Sequence, residues 1–255
     1  MNNKPIAVVI LAAGKGKRMN NPDIPKVLAE IDSKPLIYYV LSEVEKLNPE
    51  RMVIVVGHHK ELVIDFVSSY GFANVEFAEQ NQQLGTGHAV DMTRNLLADF
   101  DGDTLILAGD VPLLTSESLN KFINLHLESM SEASVLSTIA PDASGYGRIV
   151  RDESQNFLKI TEHKDADEEI RKIDEINSGI FIVNTELLFN SLSKVQNNNA
   201  QGEYYLTDII EIMKEEGRLV HAINAAPFEE LQGINTTDEL ARAEEMFKLL
   251  RKNKV

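Results

Sequence analysis

Ile6 to Leu11 is an unbroken apolar run rich in β-branched residues, the pattern of a strand buried on both faces. "RMVIVVG" (Arg51 to Gly57), "ANVEFAE" (Ala73 to Glu79) and "DTLILAGD" (Asp103 to Asp110) predict further strands. Between them, "HKELVIDFVSSYG" (His59 to Gly71) and "GHAVDMTRNLLADF" (Gly87 to Phe100) carry apolar residues at helical spacing. This alternation predicts a doubly wound α/β fold. From about Ser134 the rhythm changes to consecutive strand-like segments, "ASVLSTIA", "GRIVRD", "FLKITEH" and "DEINSGIFIVN", before helices return near Glu186 and Tyr204. A second, mixed half of the sheet is implied. "QNNNAQGE" (Gln196 to Glu203) reads as a polar loop expected to order on ligand binding, and "TTDELARAEEMFKLLRK" as a terminal helix with a capped start and a basic end.

The segment after the first strand cannot be core. Gly14 and Gly16 permit a tight turn and close backbone approach to a ligand, while Lys15, Lys17 and Arg18 concentrate positive charge on it. A phosphate cradle and a solvated strand-to-helix turn are the two readings. A dinucleotide fingerprint would need a small residue where Met19 stands, and a Walker A loop would need Gly-Lys-Ser/Thr after a four-residue gap. Neither pattern is present.

Composition narrows the class. The 255 residues are 43% hydrophobic and 25% charged, enough for one sizeable core or two fused subdomains. A formal net charge of −15 argues against a nucleic-acid partner, which requires a basic face. It also means that a polyanionic substrate must find a local reversal of sign, which Lys15, Lys17, Arg18 and Lys26 supply. There are no cysteines, no signal-like N-terminus and no membrane-length apolar run, so a soluble cytoplasmic protein is expected.

Ligands of open α/β sheets bind beyond the carboxyl ends of the strands, which selects two further stretches. Asp110 ends an apolar strand ahead of "VPLL" and is a natural Mg²⁺ ligand, or else the start of a turn before Pro112. "QNQQLGTGHA" (Gln80 to Ala89) sets two glutamines and a Gly-Thr-Gly turn ahead of a helix, suited to reading a base edge or only to starting that helix.

"LAAGKGKRM" with "PKVL" resembles the superfamily of nucleotidyltransferases that join sugar phosphates to nucleoside triphosphates. "QLGTGHA", "GDVPLL", "GYGRI", "EHKDA", "EINSGI", "NNNAQGEYYLTDII" and "GIN" resemble, over essentially the whole chain, the uridyltransferase domain of bacterial bifunctional N-acetylglucosamine-1-phosphate uridyltransferase / glucosamine-1-phosphate acetyltransferase. The resemblance implies a Rossmann-like three-layer α/β nucleotidyltransferase fold with a mixed, mostly parallel central sheet. It also implies one domain over 1–255, with a nucleotide-binding half to about 110, a sugar-phosphate-binding half over 111–235 and a C-terminal helix over 236–255. The implied reaction is Mg²⁺-dependent transfer of UMP from UTP to N-acetylglucosamine 1-phosphate, a precursor step for peptidoglycan and lipopolysaccharide.

By the same resemblance, Leu11, Ala12, Ala13 and Gly14 line the uridine and phosphates, Arg18 and Lys26 act on the phosphate charges, and Gln80, Gly85 and Thr86 contact uracil. Gly147, Glu162, Asn177, Tyr205 and Thr207 hold the sugar, and Asp110 and Asn235 hold Mg²⁺. Tyr205 is expected to wall the acetyl group, and the amine of glucosamine 1-phosphate is expected to find no counter-charge. Two departures stand out. Lys17 replaces a frequent Thr, and the chain ends at Val255 without hexapeptide repeats, so acetyl transfer is expected to be absent. Competing readings are a related uridylyl- or thymidylyltransferase for another sugar 1-phosphate, such as glucose 1-phosphate, and a non-catalytic sugar-nucleotide sensor.

Overall fold

The structure is a computed structural model. It describes residues 4–14, 16, 19 and 24–252, with side chains as far as residue 248. The strands are β1 (Ile6–Leu11), β2 (Glu30–Ile31), β3 (Lys34–Pro35), β4 (Arg51–Val56), β5 (Val75–Glu79), β6 (Asp103–Ala108), β7 (Ala133–Ile139), β8 (Arg148–Arg151), β9 (Phe157–Thr161), β10 (Glu175–Asn184) and β11 (Val220–Asn224). The helices are α1 (Leu36–Glu45), α2 (Lys60–Tyr70), α3 (Thr86–Asp91), α4 (Ser116–Glu128), α5 (Glu168–Arg171), α6 (Thr185–Leu192), α7 (Asp208–Glu215) and α8 (Thr237–Lys252).

The central sheet has the order β11-β7-β10-β6-β1-β4-β5. β1 pairs in parallel with β4 and β6, β4 with β5, and β7 with β11, while β10 runs antiparallel between β6 and β7. Six of these seven strands therefore point one way. The β8–β9 hairpin joins through β8 to β10, which makes the second half mixed. A bulge between Asn177 and Phe181, with Gly179 at φ 80°, interrupts the β10–β7 pairing.

Successive residues of the central strands feed opposite cores, which is why their runs are continuously apolar. Ala7, Val9, Val53, Val55 and Ile106 pack with Val90 of α3, Leu188 of α6 and Ile209 and Met213 of α7. Val8, Ile10, Met52, Ile54, Leu105 and Leu107 pack on the other face with Val40 and Leu41 of α1, Val63 of α2 and Phe122 of α4. The result is three layers. A third small core of Met19, Ile31, Leu36, Ile234 and Ala243 fastens α8 beneath the β2–β3 hairpin.

Three features depart from the sequence reading. The helix predicted over Gly87 to Phe100 ends at Asp91 and continues as turns, where Thr93 Oγ1 donates to Val90 O at 2.7 Å and the Thr93, Arg94 and Leu96 amides bond three residues back. A hydroxyl that binds the preceding turn competes with the helical ladder. β11, an edge strand, interrupts its apolar residues with His221 and Asn224, and the two-residue strands of the β2–β3 hairpin are too short to stand out. The Gln196 to Glu203 loop is already tied down within the protein: Asn199 Nδ2 donates to Glu203 O (2.6 Å), Ala200 N to Asp165 Oδ1 (2.9 Å) and Lys164 Nζ to Gln201 Oε1 (2.6 Å). Among the described residues no helix is long and apolar enough to cross a membrane.

Candidate active site

The carboxyl end of β1 is joined to those of β4 and β6 by backbone bonds from Ala12 N to Val55 O and from Gly109 N to Leu11 O. Beyond them opens a cavity of about 280 Å³ lined by Leu11, Ala12, Ala13, Gly14, Lys26, Gln80, Gly85, Thr86 and Asp110, together with Gln83, Ala89, Ala108 and Glu203. A Cβ on Gly57 would stand 2.9 Å from Ala13 O and 3.0 Å from Gln80 O, so glycine there lets the turns after β1, β4 and β5 converge.

Gln80 is 3% exposed, and its Nε2 donates to Gly85 O at 3.0 Å and meets His88 Nδ1 at 3.0 Å. A carbonyl can only accept, so the amide nitrogen must face Gly85, and Oε1 is left to accept from a ligand. Gly85 sits at φ 118°, and a Cβ there would come within 2.5 Å of Tyr204 O. Three links join this turn to the segment before α7: Gly87 N to Tyr204 O (2.8 Å), Tyr204 N to Leu84 O (2.8 Å) and Leu206 N to Thr86 Oγ1 (3.1 Å).

At the edge of the cavity three side chains converge. Lys26 Nζ donates to Asp110 Oδ2 and, at 2.9 Å, to Asn235 Oδ1. Asn235 is aimed by its surroundings, since its Nδ2 donates to Gly233 O (3.2 Å), which turns the amide oxygen toward Lys26. It stands just before α8, where Glu239 Oε2 accepts from the amides of Asn235 (2.6 Å) and Thr236 (3.0 Å) and Thr236 Oγ1 accepts from Glu239 N (3.2 Å). That reciprocal capping fixes the helix start. Ile234 N donates to Asp110 O, joining the segment after β6 directly to the one before α8.

The residues predicted to hold sugar cluster beside the β8–β9 hairpin. Glu162, Asp165, Tyr205, Thr207, Asp208 and Glu211 line a second cavity of about 350 Å³. Thr207 Oγ1 donates to Glu162 Oε1 (3.1 Å), while Tyr205 OH donates to Asp165 Oδ2 (3.3 Å) and accepts from Gln201 Nε2 (2.9 Å). A Cβ on Gly147 would lie 3.5 Å from both oxygens of Glu162 and 3.1 Å from Ile160 Cγ2, so glycine keeps that face of the carboxylate open. Asn177 N donates to Gly147 O (2.9 Å), and Asn177 Oδ1 accepts from Gly179 N (2.8 Å), which leaves its amide N–H groups to donate.

Burial pushes the Glu162 carboxyl up, against the Thr207 hydrogen bond and with the help of Asp165. Asp208 is pushed up to about 6, first by burial and then by Glu162, Glu211 and Asp165. The Tyr146 phenol is raised by burial and then by Glu239 and Asp110, and its ring stands edge-on to Phe228 with centroids 6.0 Å apart.

Residues 7–227 match the model of the nucleotidyl transferase family. The chain belongs to that family. It is 46% identical to the bifunctional protein GlmU of Exiguobacterium sibiricum over 236 residues, which are 92% of this chain and 51% of that protein. It is 44% identical to the bifunctional protein GlmU of Bacillus cereus over 249 residues, 97% of this chain and 53% of that protein. The chain spans about half the length of the curated relatives it matches. A solved UDP-glucose pyrophosphorylase complexed with UDP-glucose superposes over 96% of this chain and 98% of its own with a TM-score of 0.76. At 18% identity that likeness is one of fold, and it agrees with the Rossmann-like, mostly parallel architecture.

Within this nucleotidyl transferase, the predicted nucleotide residues other than Arg18 share one cavity, and the predicted metal pair is joined through Lys26. Arg18, Lys15 and Lys17 lie outside the described residues. Sequence reasoning missed His88, Asp165, Glu203, Asp208, Tyr146 and Glu239. Of these, Glu239 had a readable signal, three residues after the Thr236 cap, and the others stood inside quoted stretches: His88 in "QLGTGHA", Tyr146 in "GYGRI", Asp165 in "EHKDA", and Glu203 and Asp208 in "NNNAQGEYYLTDII".

Proposed function

We propose that this protein transfers UMP from UTP to N-acetylglucosamine 1-phosphate, forming UDP-N-acetylglucosamine and pyrophosphate. One observation supports the reading above others: a cavity at the strand ends is bounded by Lys26 and Asp110, with Asn235 bonded to that lysine, and hydrogen bonds tie its glycine turn to the segment carrying Tyr205 and Thr207. Residues to about 110 then serve the nucleotide, 111–235 serve chiefly the sugar phosphate, and the C-terminal part from 236, through α8, anchors Asn235. Both substrates are cytoplasmic metabolites, and that is where we infer the protein acts.

The acceptor is a phosphate monoester whose second pKa is near ~6, so at neutral pH its oxygen attacks the α-phosphorus of UTP without a general base. A new O–P bond forms as the bond to pyrophosphate breaks. The demand on the protein is to bring two anions together and steady the charge in flight. Lys26, with Arg18, meets it. Gln80 Oε1 accepts from the N3–H of uracil, a donor that cytosine lacks. Glu162, held by Thr207, accepts from sugar hydroxyls, and the Asn177 amide donates to them. The acidic wall favours the neutral end of the sugar and directs its phosphate toward Lys26.

The oxygens of Asp110 and Asn235 already converge on a cation, the Lys26 ammonium, and an all-oxygen pair suits Mg²⁺. One carboxylate and one amide leave most coordination positions to phosphate and water. When bound, Mg²⁺ would neutralise phosphate charge. The deciding assay is pyrophosphate release from UTP with N-acetylglucosamine 1-phosphate, with and without EDTA, in the wild type and in Asp110→Ala. Undiminished turnover in EDTA or in the variant would overturn the metal assignment, and no release with this sugar would overturn the substrate.

A further inference from the structure

Lys26 occupies a position that its expected role does not explain. A lysine serving only phosphate needs no protein partners for its ammonium, yet that of Lys26 is bonded to Asp110 Oδ2 and Asn235 Oδ1, the two oxygens read as the metal pair. Both side chains are mostly covered, at 17% exposure for Lys26 and 10% for Asp110. The backbone beneath is fixed as well, because Gly16, at φ 58°, lies so close that a Cβ would stand 2.8 Å from Lys26 Cβ and 3.3 Å from Lys26 N.

We infer that Lys26 is an internal stand-in for the metal, closing the Asp110–Asn235 pair against free divalent cations until a nucleotide draws the ammonium away. The inference rests on the reading of Asp110 and Asn235 as the metal-holding pair. A divalent ion arriving alone must displace the ammonium and leave two like charges side by side with a single carboxylate between them. An arriving triphosphate changes that balance. Lys26 also lines the nucleotide cavity with Gly14, so its ammonium exchanges one set of anionic oxygens for another, and the same movement frees both ligand oxygens. Metal and nucleotide binding are thereby coupled through one side chain, beyond the bonds that the metal makes to phosphate, and the coupling is reciprocal.

The test is Mn²⁺ binding to the full chain, read by electron paramagnetic resonance without nucleotide. Removing the ammonium in Lys26→Gln should tighten Mn²⁺ binding by about tenfold or more, within the usual range of such couplings. Lys26→Arg, which keeps the charge, should bind Mn²⁺ as weakly as the wild type. Adding Asp110→Asn to Lys26→Gln should abolish the gain. A gain of affinity cannot come from damage to the fold. In the unmodified chain, Mg²⁺ alone should leave the melting temperature unchanged, and Mg²⁺ with UTP should raise it beyond UTP alone. Equal, Asp110-dependent Mn²⁺ affinity in wild type and Lys26→Gln, or a melting-temperature rise with Mg²⁺ alone, would overturn the stand-in while leaving the metal pair in place. Mn²⁺ binding that ignores Asp110 even with UTP present would overturn the metal reading itself, and the stand-in with it.

Discussion

The hydroxyl oxygen of Thr86 accepts the backbone N–H of Leu206 at 3.1 Å, across 120 positions of sequence. Thr86 lines the nucleotide cavity, and Leu206 lies between Tyr205 and Thr207 of the sugar-side cavity. With the two backbone bonds at Tyr204, this side-chain bond sets the spacing between the two proposed substrates. Thr86→Val keeps the shape and leaves the N–H of Leu206, a residue 2% exposed, without its acceptor. An unsatisfied buried donor costs about 1–3 kcal/mol. That cost falls on stability and should lower the melting temperature, while the loosened spacing should raise the KM for the sugar phosphate, although the changed residue sits on the nucleotide side. A rise confined to the KM for UTP would show that the link carries no positional information.

Gln80 supports a prediction about the base. Its amide nitrogen is committed to Gly85 O and His88, so Oε1 is left as the acceptor for the proposed base. UTP should be preferred over CTP, which presents an acceptor at the same ring position. Gln80→Leu should lower kcat/KM for UTP by roughly 5- to 150-fold, the equivalent of about 1–3 kcal/mol, and narrow its advantage over CTP. His88→Leu should narrow that advantage too, by releasing the amide to rotate. If CTP and UTP are used equally by the wild type, Gln80 is not the reader.

Asp208 supplies a pH dependence. Its carboxyl is half-buried and raised from the ordinary 3.8 to about 6. Between those values the folded protein holds a proton that the unfolded chain has released. This residue's contribution to stability therefore falls as pH rises from about 4 to about 6, the reverse of a salt-bridged carboxylate. One proton sets a ceiling of about 1.4 kcal/mol per pH unit, and partial exposure brings the slope below it. Other carboxyls, such as Glu175 beside Arg151, are lowered and act in the opposite sense, so the readout is the difference between wild type and Asp208→Asn. Asp208→Asn should gain melting temperature relative to wild type as pH rises through that window. A constant difference from pH 4 to 7 would contradict the assignment.

The architecture was legible where the pattern was long. β1 is apolar throughout, and β4 and β6 are apolar after their first one or two residues, because neighbouring residues enter opposite cores, and the rule that ligands gather at strand ends then selected Asp110 and Gln80. What the sequence hid was mostly made by the backbone. The bonds joining Gly87 and Tyr204, or Ile234 and Asp110, involve groups that every residue carries, so nothing in the letters marks them. The exchange at Lys26 was hidden for another reason. Sequence assigned the lysine to phosphate and the Asp–Asn pair to metal, and only their approach shows that the three share one position. The early end of α3 turns on the hydroxyl of Thr93, which a periodicity count treats as one more polar residue.

The cavity proposed for the sugar bears on one expectation and gives the last prediction. Sequence alone leads to the expectation that the amine of glucosamine 1-phosphate finds no counter-charge. Instead the carboxylates of Glu162, Asp165 and Asp208 line the cavity, so a cation entering it would be paired. Discrimination against that substrate must then come from the missing acetyl group. Tyr205 is 7% exposed with its hydroxyl engaged by Asp165 and Gln201, so it acts as a fixed wall. Glucose 1-phosphate lacks both the acetyl group and the charge. The expected order of kcat/KM with UTP is N-acetylglucosamine 1-phosphate, then glucosamine 1-phosphate, then glucose 1-phosphate. The first gap should reflect about 1–3 kcal/mol for the unfilled acetyl site, roughly 5- to 150-fold. Glu162→Gln should lower activity with all three sugars and weaken glucosamine 1-phosphate most, because it removes a counter-charge as well as an acceptor. Tyr205→Ala should shrink the gap between the acetylated and free amines. Three equal specificity constants in the wild type would show that this cavity does not receive the sugar, and glucose 1-phosphate outranking glucosamine 1-phosphate would show that its carboxylates do not meet position 2 of the ring.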